Sequence, residues 1–352
     1  MKRILALNPG ATSTKIAVFD DAEVFLKTSV EHQGASLDHF KRVVDQLQYR
    51  LDLILAALAD AGLALNSLSA VVGRGGLLKP LEGGTYAVNA RMLADLETAR
   101  EHASNLGAIL ADRLAGSLGI PAFIVDPVSV DELEPEARIS GLPELPRLSY
   151  SHALNSKAVA RRTAAGLGRS YFDCNFVVAH LGTGVSVTAH RKGRMVDVNG
   201  AEEEGPFSPA RSAGLPSLSL TKLCYSGRYS EKEMLGRIVG NGGLYAHLGT
   251  RDVREAEARA AAGDAQAALV LKAMAYKIAK EIGAMAAVLA GQVDRVIITG
   301  GIAYSKQLVA AVAERVAFIA PIVVLPGEEE LEALAEGALR VLNGEEAAKL
   351  YS

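Results

Sequence analysis

The sequence predicts an α/β protein built from two related domains, each a mixed sheet of βββαβα order. Three observations predict it. A strand, a glycine-containing turn and a second strand open the chain in Leu5–Asp20, "LALNPGATSTKIAVFD". The same order returns in Asn175–Val198, "NFVVAHLGTGVSVTAHRKGRMVDV". A third glycine turn, Gly300-Gly301, follows the strand "RVIIT" and precedes a helical stretch. One glycine-turn hairpin is commonplace, but two that open the two halves of one chain suggest a duplication.

The elements follow in order. Ala22–Thr28 adds a third strand to the opening hairpin. Phe40–Ala61 carries apolar residues at helical spacing and stops near Gly62. Ser69–Val72 is a short strand leading into "GRGGLLKP", His102–Leu118 a helix, and Pro121–Val125 a buried strand ending at Asp126-Pro127. Ser151–Leu167 is helical. In the second unit Gly182 and Gly184 make the first turn and Lys192-Gly193 the next, and Ala-rich helices fill Arg251–Gly263 and Asp264–Leu289. A final helix, Glu328–Leu342, is expected to pack back on the N-terminal domain. The expected domains are 1–150 completed by 328–352, and 151–327.

The bulk composition excludes several classes. The chain has 352 residues, 49% hydrophobic and 22% charged, with a formal charge of −3. That supports a large core and about two domains, and gives no electrostatic reason to expect nucleic acid or an acidic membrane as partner. Cys174 and Cys224 are too few for a disulfide framework, so a reducing, cytoplasmic location is expected. The N-terminus enters a strand without a charged-then-apolar leader, and no apolar run reaches the ~18 residues of a membrane helix.

A turn of glycine and small hydroxyl residues lets backbone N–H groups converge on an anion. Asn8, Thr12, Ser13 and Thr14 fit that use, with Lys15 beside them, although any tight turn draws on the same residues. The P-loop spacing G-x-x-x-x-G-K-[ST] is absent. "GTGVSV" enters a strand rather than a helix, which excludes the Rossmann fingerprint. Three glycine turns at strand ends in two similar halves fit another design, in which a nucleotide lies in a cleft between the domains. That suits phosphoryl transfer, where positioning and charge neutralisation do most of the catalysis and closure excludes water.

The segments "LNPGATSTK", "GRGGLL", "EHASNLGA", "VDPVSVDE", "SHALN", "AHLGTG", "GPFSPARSAGLP", "GNGGL" and "ITGGIA" occur in that order along nearly the whole chain. In them the sequence resembles the acetate and butyrate kinase family of the sugar kinase–Hsp70–actin superfamily, and within it the butyrate kinases. The resemblance implies duplicated ribonuclease H-like (actin-like ATPase) domains. It also implies reversible transfer of the ATP γ-phosphoryl to a short-chain carboxylate, with ADP as the other product, Mg²⁺ as cofactor and a homo-oligomer, at least a dimer. An enzyme of that kind holds two anions side by side and needs fixed cations, for which the arginine fork is suited.

By the resemblance, Arg74 contacts the carboxylate and the transferred phosphoryl, Arg211 stabilises transition-state charge, and His180 contacts the phosphoryl in flight. Each has a plain alternative, a surface arginine in a turn or a structural histidine at a strand end. His102 and His152 match two further histidines that shape the site; His32, His39, His190 and His247 match none and are expected at the surface. Asp126 matches the aspartate near the attacking carboxylate and Mg²⁺. The substrate is already ionised at neutral pH, so a metal or orienting role suits it better than proton abstraction. Glu329 or Glu330 matches the magnesium-linked glutamate, or simply belongs to an acid-rich first helical turn. Gly182, Thr183 and Gly184 are expected at the phosphates. Gly300 and Gly301 are expected at the adenosine with Asp252 and Arg254, a pair that would equally serve a helix start.

Three positions depart from the family pattern. Ala11 stands where relatives carry Ser, and Thr183 where acetate kinases have Asn. Ser151 replaces the Phe that acetate kinases place before His152, which enlarges the acyl pocket and favours butyrate or a branched acid over acetate, with branched-chain acids, acetate and propionate as the alternatives within the same chemistry. A non-catalytic actin-like ATPase would lack Arg74, Arg211 and His180. A sugar kinase would need a catalytic Asp as base, for which Asp126 is the candidate.

Overall fold

The computed structural model describes residues 1–32, 37 and 39–352. The chain divides into two compact units, Met1–Val130 with Glu329–Ser352, and Asp131–Glu328. Residues 131–150 therefore go with the second unit, and local chemistry explains it. The Glu132 carboxylate is buried, accepts from Lys157 Nζ at 2.9 Å and takes the Met195 N–H at 2.6 Å. The Glu134 N–H donates to the Val196 carbonyl at 3.0 Å.

The first unit holds a seven-stranded sheet of order β12-β5-β6-β4-β1-β2-β3. Its strands are β1 (Arg3–Pro9), β2 (Ser13–Asp20), β3 (Glu23–Glu31), β4 (Ala70–Arg74), β5 (Thr85–Ala87), β6 (Ala122–Val125) and β12 (Lys349–Leu350). β1, β2 and β3 form an antiparallel meander, and β4 and β6 add in parallel on the other side of β1. The second unit holds five strands, β7 (Asn175–Leu181), β8 (Val185–Arg191), β9 (Arg194–Val198), β10 (Arg295–Gly300) and β11 (Ile322–Pro326), in the order β11-β10-β7-β8-β9. The five contiguous strands β6-β4-β1-β2-β3 of the first sheet and all five of the second share one topology, so the duplication is real at the level of the fold. Both meanders even carry a register shift at the same place, between Val18 and Phe19 and between Ala189 and His190.

The helices behave as their patterns dictate, with shifted ends. Leu47–Asp60 follows a 3₁₀ turn at Val43–Gln46 and stops before Gly62, whose φ is +70°. Asn105–Leu118 starts three residues after His102, because His102 and Ser104 bond to each other in the entering turn (2.6 Å). Asp252 and Asp264 cap the helices Val253–Ala261 and Ala265–Val288 by accepting from the N–H groups of Arg254 and Ala267. Among the described residues no helix is long and apolar enough to cross a membrane.

In each unit one helix comes from the stretch that follows strands of the other unit's sheet. Ala153–Gly166, which comes after β6, packs Val159, Ala160 and Ala164 against Phe176, Val178 and Ile297 of β7 and β10. Glu330–Leu342, after β11, lies on β1, β4 and β6 with Leu331, Leu334, Ala335 and Ala338 buried. Burying each leucine contributes about 1.5–3 kcal/mol, enough to fix these helices to their sheets.

One close approach sets the end of β4. A Cβ at Gly107 would lie 2.1 Å from the Arg74 carbonyl oxygen, and one at Gly73 would lie 2.0 Å from the Gly107 oxygen. Helix Asn105–Leu118 thus touches β4 backbone to backbone and fixes where Arg74 leaves the strand. Both obstacles are main chain, so an added methyl forces the elements apart. Gly107→Ala is expected to lose about 1–3 kcal/mol of stability in denaturant unfolding; an unchanged midpoint would show that the contact is loose.

Candidate active site

In the first unit, β1, β4 and the start of helix Glu330–Leu342 bring three predicted residues together. Arg74 Nη1 lies 2.7 Å from Glu330 Oε1 and donates to Oε2 at 2.8 Å. Asn8 Nδ2 donates to the same Oε2 at 2.5 Å. Glu330, rather than its neighbour Glu329, therefore holds the arginine; Glu329 is exposed at the helix start. The Gly10–Ser13 turn closes through the Gly10 N–H to the Ser13 carbonyl at 2.7 Å. Thr12 is exposed, Ser13 half-buried, and Lys15 points outward on β2, where it pairs in register with Asn8.

Asp126 stands at the strand end as expected, but its carboxylate turns inward instead of protruding: the residue is 3% exposed and Oδ1 accepts the Gly84 N–H at 2.6 Å. Its backbone has φ of +37°, strained for a residue with a Cβ. His102 is exposed at the entry to its helix.

The second unit gathers the other set. His180, at the end of β7, is 1% exposed. Its Nδ1 pairs with Asn155 Oδ1 at 2.9 Å, and its Nε2 faces Glu328 Oε1 at 3.1 Å. The His152 ring stacks on it with centroids 3.8 Å apart and 11° between planes, and His152 Nδ1 bonds Ser186 Oγ at 2.9 Å. Ser151 is buried, and its hydroxyl meets no partner among the described residues.

Arg211 reaches the β7–β8 turn from a separate loop. A Cβ on Gly184 would sit 2.3 Å from Arg211 Nη1, so the guanidinium occupies the space a side chain would take. Arg211 Nη1 donates to the Ala201 carbonyl at 3.0 Å, and Glu202 Oε1 lies 4.0 Å from Nη2. Ser208 Oγ donates to the Thr183 carbonyl at 2.6 Å and accepts the Arg211 N–H at 3.1 Å, tying loop to turn. Gly300, with φ of +90°, packs its α-carbon against the Leu181 backbone and joins the third turn to the second.

A cavity of about 720 Å³ opens beside these turns. Gly182, Thr183, Asp252, Arg254 and Gly301 line it, together with Arg251, Glu257, Tyr304 and Glu328. That volume suits a nucleotide-sized ligand. Asp252 caps its helix and also pairs with Arg254 at 2.7 Å, which drives its carboxyl down to about 2. The capping and the lining roles thus coexist.

The model of the acetokinase family matches residues 148–325, just over half of the chain. The chain belongs to the acetokinase family. It is an ATP-dependent carboxylate kinase. Among solved structures it resembles the acetate kinase of Porphyromonas gingivalis (20% identity, TM-score 0.79, covering 96% of this chain and 99% of that one). It also resembles a propionate kinase from Francisella tularensis subsp. tularensis (19%, TM-score 0.75, 96% and 99%) and the acetate kinase of Entamoeba histolytica (14%, TM-score 0.75, 96% and 98%). At these identities the structures establish a shared fold.

Three residues that the structure places at these turns escaped the sequence reading. Asn155 stood inside "SHALN" and Glu328 inside the acid run before the last helix, so both had a signal. Arg50 had none. It is 1% exposed beneath the first turn and donates to the Gly10 carbonyl (2.9 Å), Thr14 Oγ1 (3.0 Å) and Gln46 Oε1 (2.8 Å).

Two histidines expected at the surface are buried. His32 packs against Thr14 Oγ1 at 2.9 Å, and His190 lies between Tyr171 Oη and Thr188 Oγ1, each at 2.7 Å; His39 and His247 are exposed. Thr188 donates to the Val178 carbonyl, so it accepts from His190 Nε2–H, and Tyr171 O–H donates to Nδ1. That chain satisfies a neutral ring. Burial accordingly pushes His190 well below the usual histidine value, with Lys157 adding to the effect, and lowers His32 too. Below pH ~6.5 the unfolded chain takes up protons that the folded one refuses, so stability is full above that pH and falls as pH drops, by up to about 1.4 kcal/mol per unit for each histidine. The expected result is a melting temperature that declines from pH 7 to 5 while the His190 Cε1–H resonance does not titrate; a titration midpoint near 6.5 would contradict it.

Proposed function

We propose that this protein is a butyrate kinase, transferring the γ-phosphoryl of ATP reversibly to a short-chain carboxylate of about four carbons. A carboxylate oxygen attacks the γ-phosphorus as the bond to the β–γ bridging oxygen breaks. The products are an acyl phosphate, butyryl phosphate, and ADP. No proton has to move, because the acceptor is already ionised. What remains for the protein is to hold anions together and neutralise developing charge.

The observation that carries the reading is the seating of Arg211 on Gly184, in a turn that lines a nucleotide-sized cavity, within an acetokinase-family segment. In this reading Gly182, Thr183 and Gly184 meet the phosphates, Gly300 and Gly301 the adenosine, and Asp252 and Arg254 the ribose end. The first turn, Asn8 to Lys15, adds donors for phosphate over the buried Arg50 cation. Arg211 and His180 donate to the phosphoryl in transfer, with Asn155 and the stacked His152 fixing the imidazole. Arg74 holds the carboxylate, exchanging part of its pairing with Glu330 for it, and His102 shapes the site.

Mg²⁺ takes one or two protein carboxylates and fills its shell with water and phosphate oxygens. No group of three or more His, Cys, Asp or Glu side chains placed to hold a metal ion exists among the described residues. Exposed Glu329 and half-buried Glu330 are hard oxygen donors that fit it; Asp126, turned onto Gly84, fits an orienting role better. Bound there, the ion would offset the charge of the nucleotide phosphates.

The preference for butyrate rests on Ser151. Beside the His152–His180 stack it occupies far less volume than a phenylalanine, which leaves room for a longer acyl chain. Branched acids, propionate and acetate are the alternatives within the same chemistry. Trapping acyl phosphate as the hydroxamate with ATP, Mg²⁺ and C2 to C5 acids is expected to give the highest kcat/KM for butyrate. A maximum at acetate would overturn the acyl preference, and no hydroxamate from any acid would overturn the phosphoryl transfer.

A further inference from the structure

We infer that Arg147, outside the site described above, is a positioning residue that sets the Arg211 guanidinium by way of the turn Gly200–Glu204. The inference rests on the reading of Arg211 as a cation acting on the phosphoryl in transfer. It adds a residue that no segment of the family resemblance contained.

Arg147 uses every N–H it has. Nε donates to Glu204 Oε1 and Oε2 at 3.0 and 3.1 Å. Nη2 donates to Glu204 Oε2 at 2.9 Å and the Val198 carbonyl at 2.8 Å. Nη1 donates to Asp197 Oδ1 at 2.9 Å and the Ala137 carbonyl at 2.7 Å. A planar fork with five donors can do this; a lysine ammonium cannot reproduce it. The grip on Glu204 closes a small turn. Glu204 Oε2 also accepts the Gly200 N–H at 3.2 Å, and the N–H groups of Glu203 and Glu204 return to the Gly200 carbonyl at 3.0 and 2.9 Å. Ala201, inside that turn, donates its N–H to the Tyr150 carbonyl at 3.1 Å.

The turn's link to the site is the Ala201 carbonyl, which accepts from Arg211 Nη1 at 3.0 Å. Arg211 is thereby held from two sides, by that carbonyl and by the bare face of Gly184. Its own acidic neighbour, Glu202 at 4.0 Å, also sits in the turn. Release of Glu204 would let the carbonyl and the carboxylate move together. Misplacing a catalytic cation by about 1 Å can cost roughly 100-fold in rate without weakening ground-state binding.

The test is a double-mutant cycle with ATP and butyrate. Arg147→Gln is expected to lower kcat about 10- to 100-fold with the KM for ATP within about twofold, and Arg147→Lys to recover only part of the loss. In an Arg211→Ala background, Arg147→Gln is expected to cost less than about threefold more, because it acts through a group already gone. The same fold-loss in both backgrounds would overturn the inference while leaving the role of Arg211 intact. Near-normal kcat in Arg211→Ala alone would overturn both. Should Arg147→Gln fail to fold, Glu204→Gln, which keeps an acceptor oxygen but weakens the grip, is expected to show the same non-additivity, and additive losses there would equally overturn the inference.

Discussion

A guanidinium can be pressed against a turn only where no side chain stands between them. That constraint organises this protein. Gly184 leaves its face open to Arg211, whose Nη1 sits where a Cβ would be. Gly73 and Gly107 let a helix meet β4 main chain to main chain, so that Arg74 leaves the strand at a fixed point. In each unit an arginine of the candidate site is placed by the absence of side chains around it, and the hydrogen bonds then refine the placement.

The electrostatics follow from that arrangement. Each arginine already has an anionic neighbour, Glu330 at 2.7 Å for Arg74 and Glu202 at 4.0 Å for Arg211. Such pairing orients the guanidinium groups, and in the proposed reaction a substrate carboxylate or phosphoryl replaces part of an existing interaction instead of entering a bare field. Arg211 has the looser partner, so more of its charge is free for an incoming anion. His180 is controlled differently, by burial, by Asn155 on one nitrogen and by the ring of His152 stacked on its face. The crossed helices support both units: Ala153–Gly166 carries Asn155, and Glu330–Leu342 carries Glu330.

Much of the fold was legible, because the signals were local. The repeated strand–turn–strand order at Leu5–Asp20 and Asn175–Val198 predicted a duplication that the matching strand orders bear out. What could not be read was anything set by distant partners. The segment 131–150 joins the second unit through Glu132, Lys157 and Arg147, whose mates lie far along the chain. His190 was expected at the surface because it matched no histidine of the family pattern, yet Tyr171 and Thr188 supply the two bonds that let it be buried. Asp126 sat at the expected strand end, but the Gly84 N–H turned it inward, a contact across forty residues of sequence that no spacing rule reports. Arg50 lay in a helical pattern with nothing to mark it as the cation beneath the first turn.

The central claim is that the bare face of the turn glycine seats the transition-state cation. Gly184→Ala tests it most directly, because the atoms nearest the added methyl belong to the flexible end of the Arg211 side chain. Measured with ATP and the preferred acid, kcat is expected to fall about 100-fold, with a melting temperature within a few degrees of the parent. A variant that keeps its parent's kcat would contradict the account.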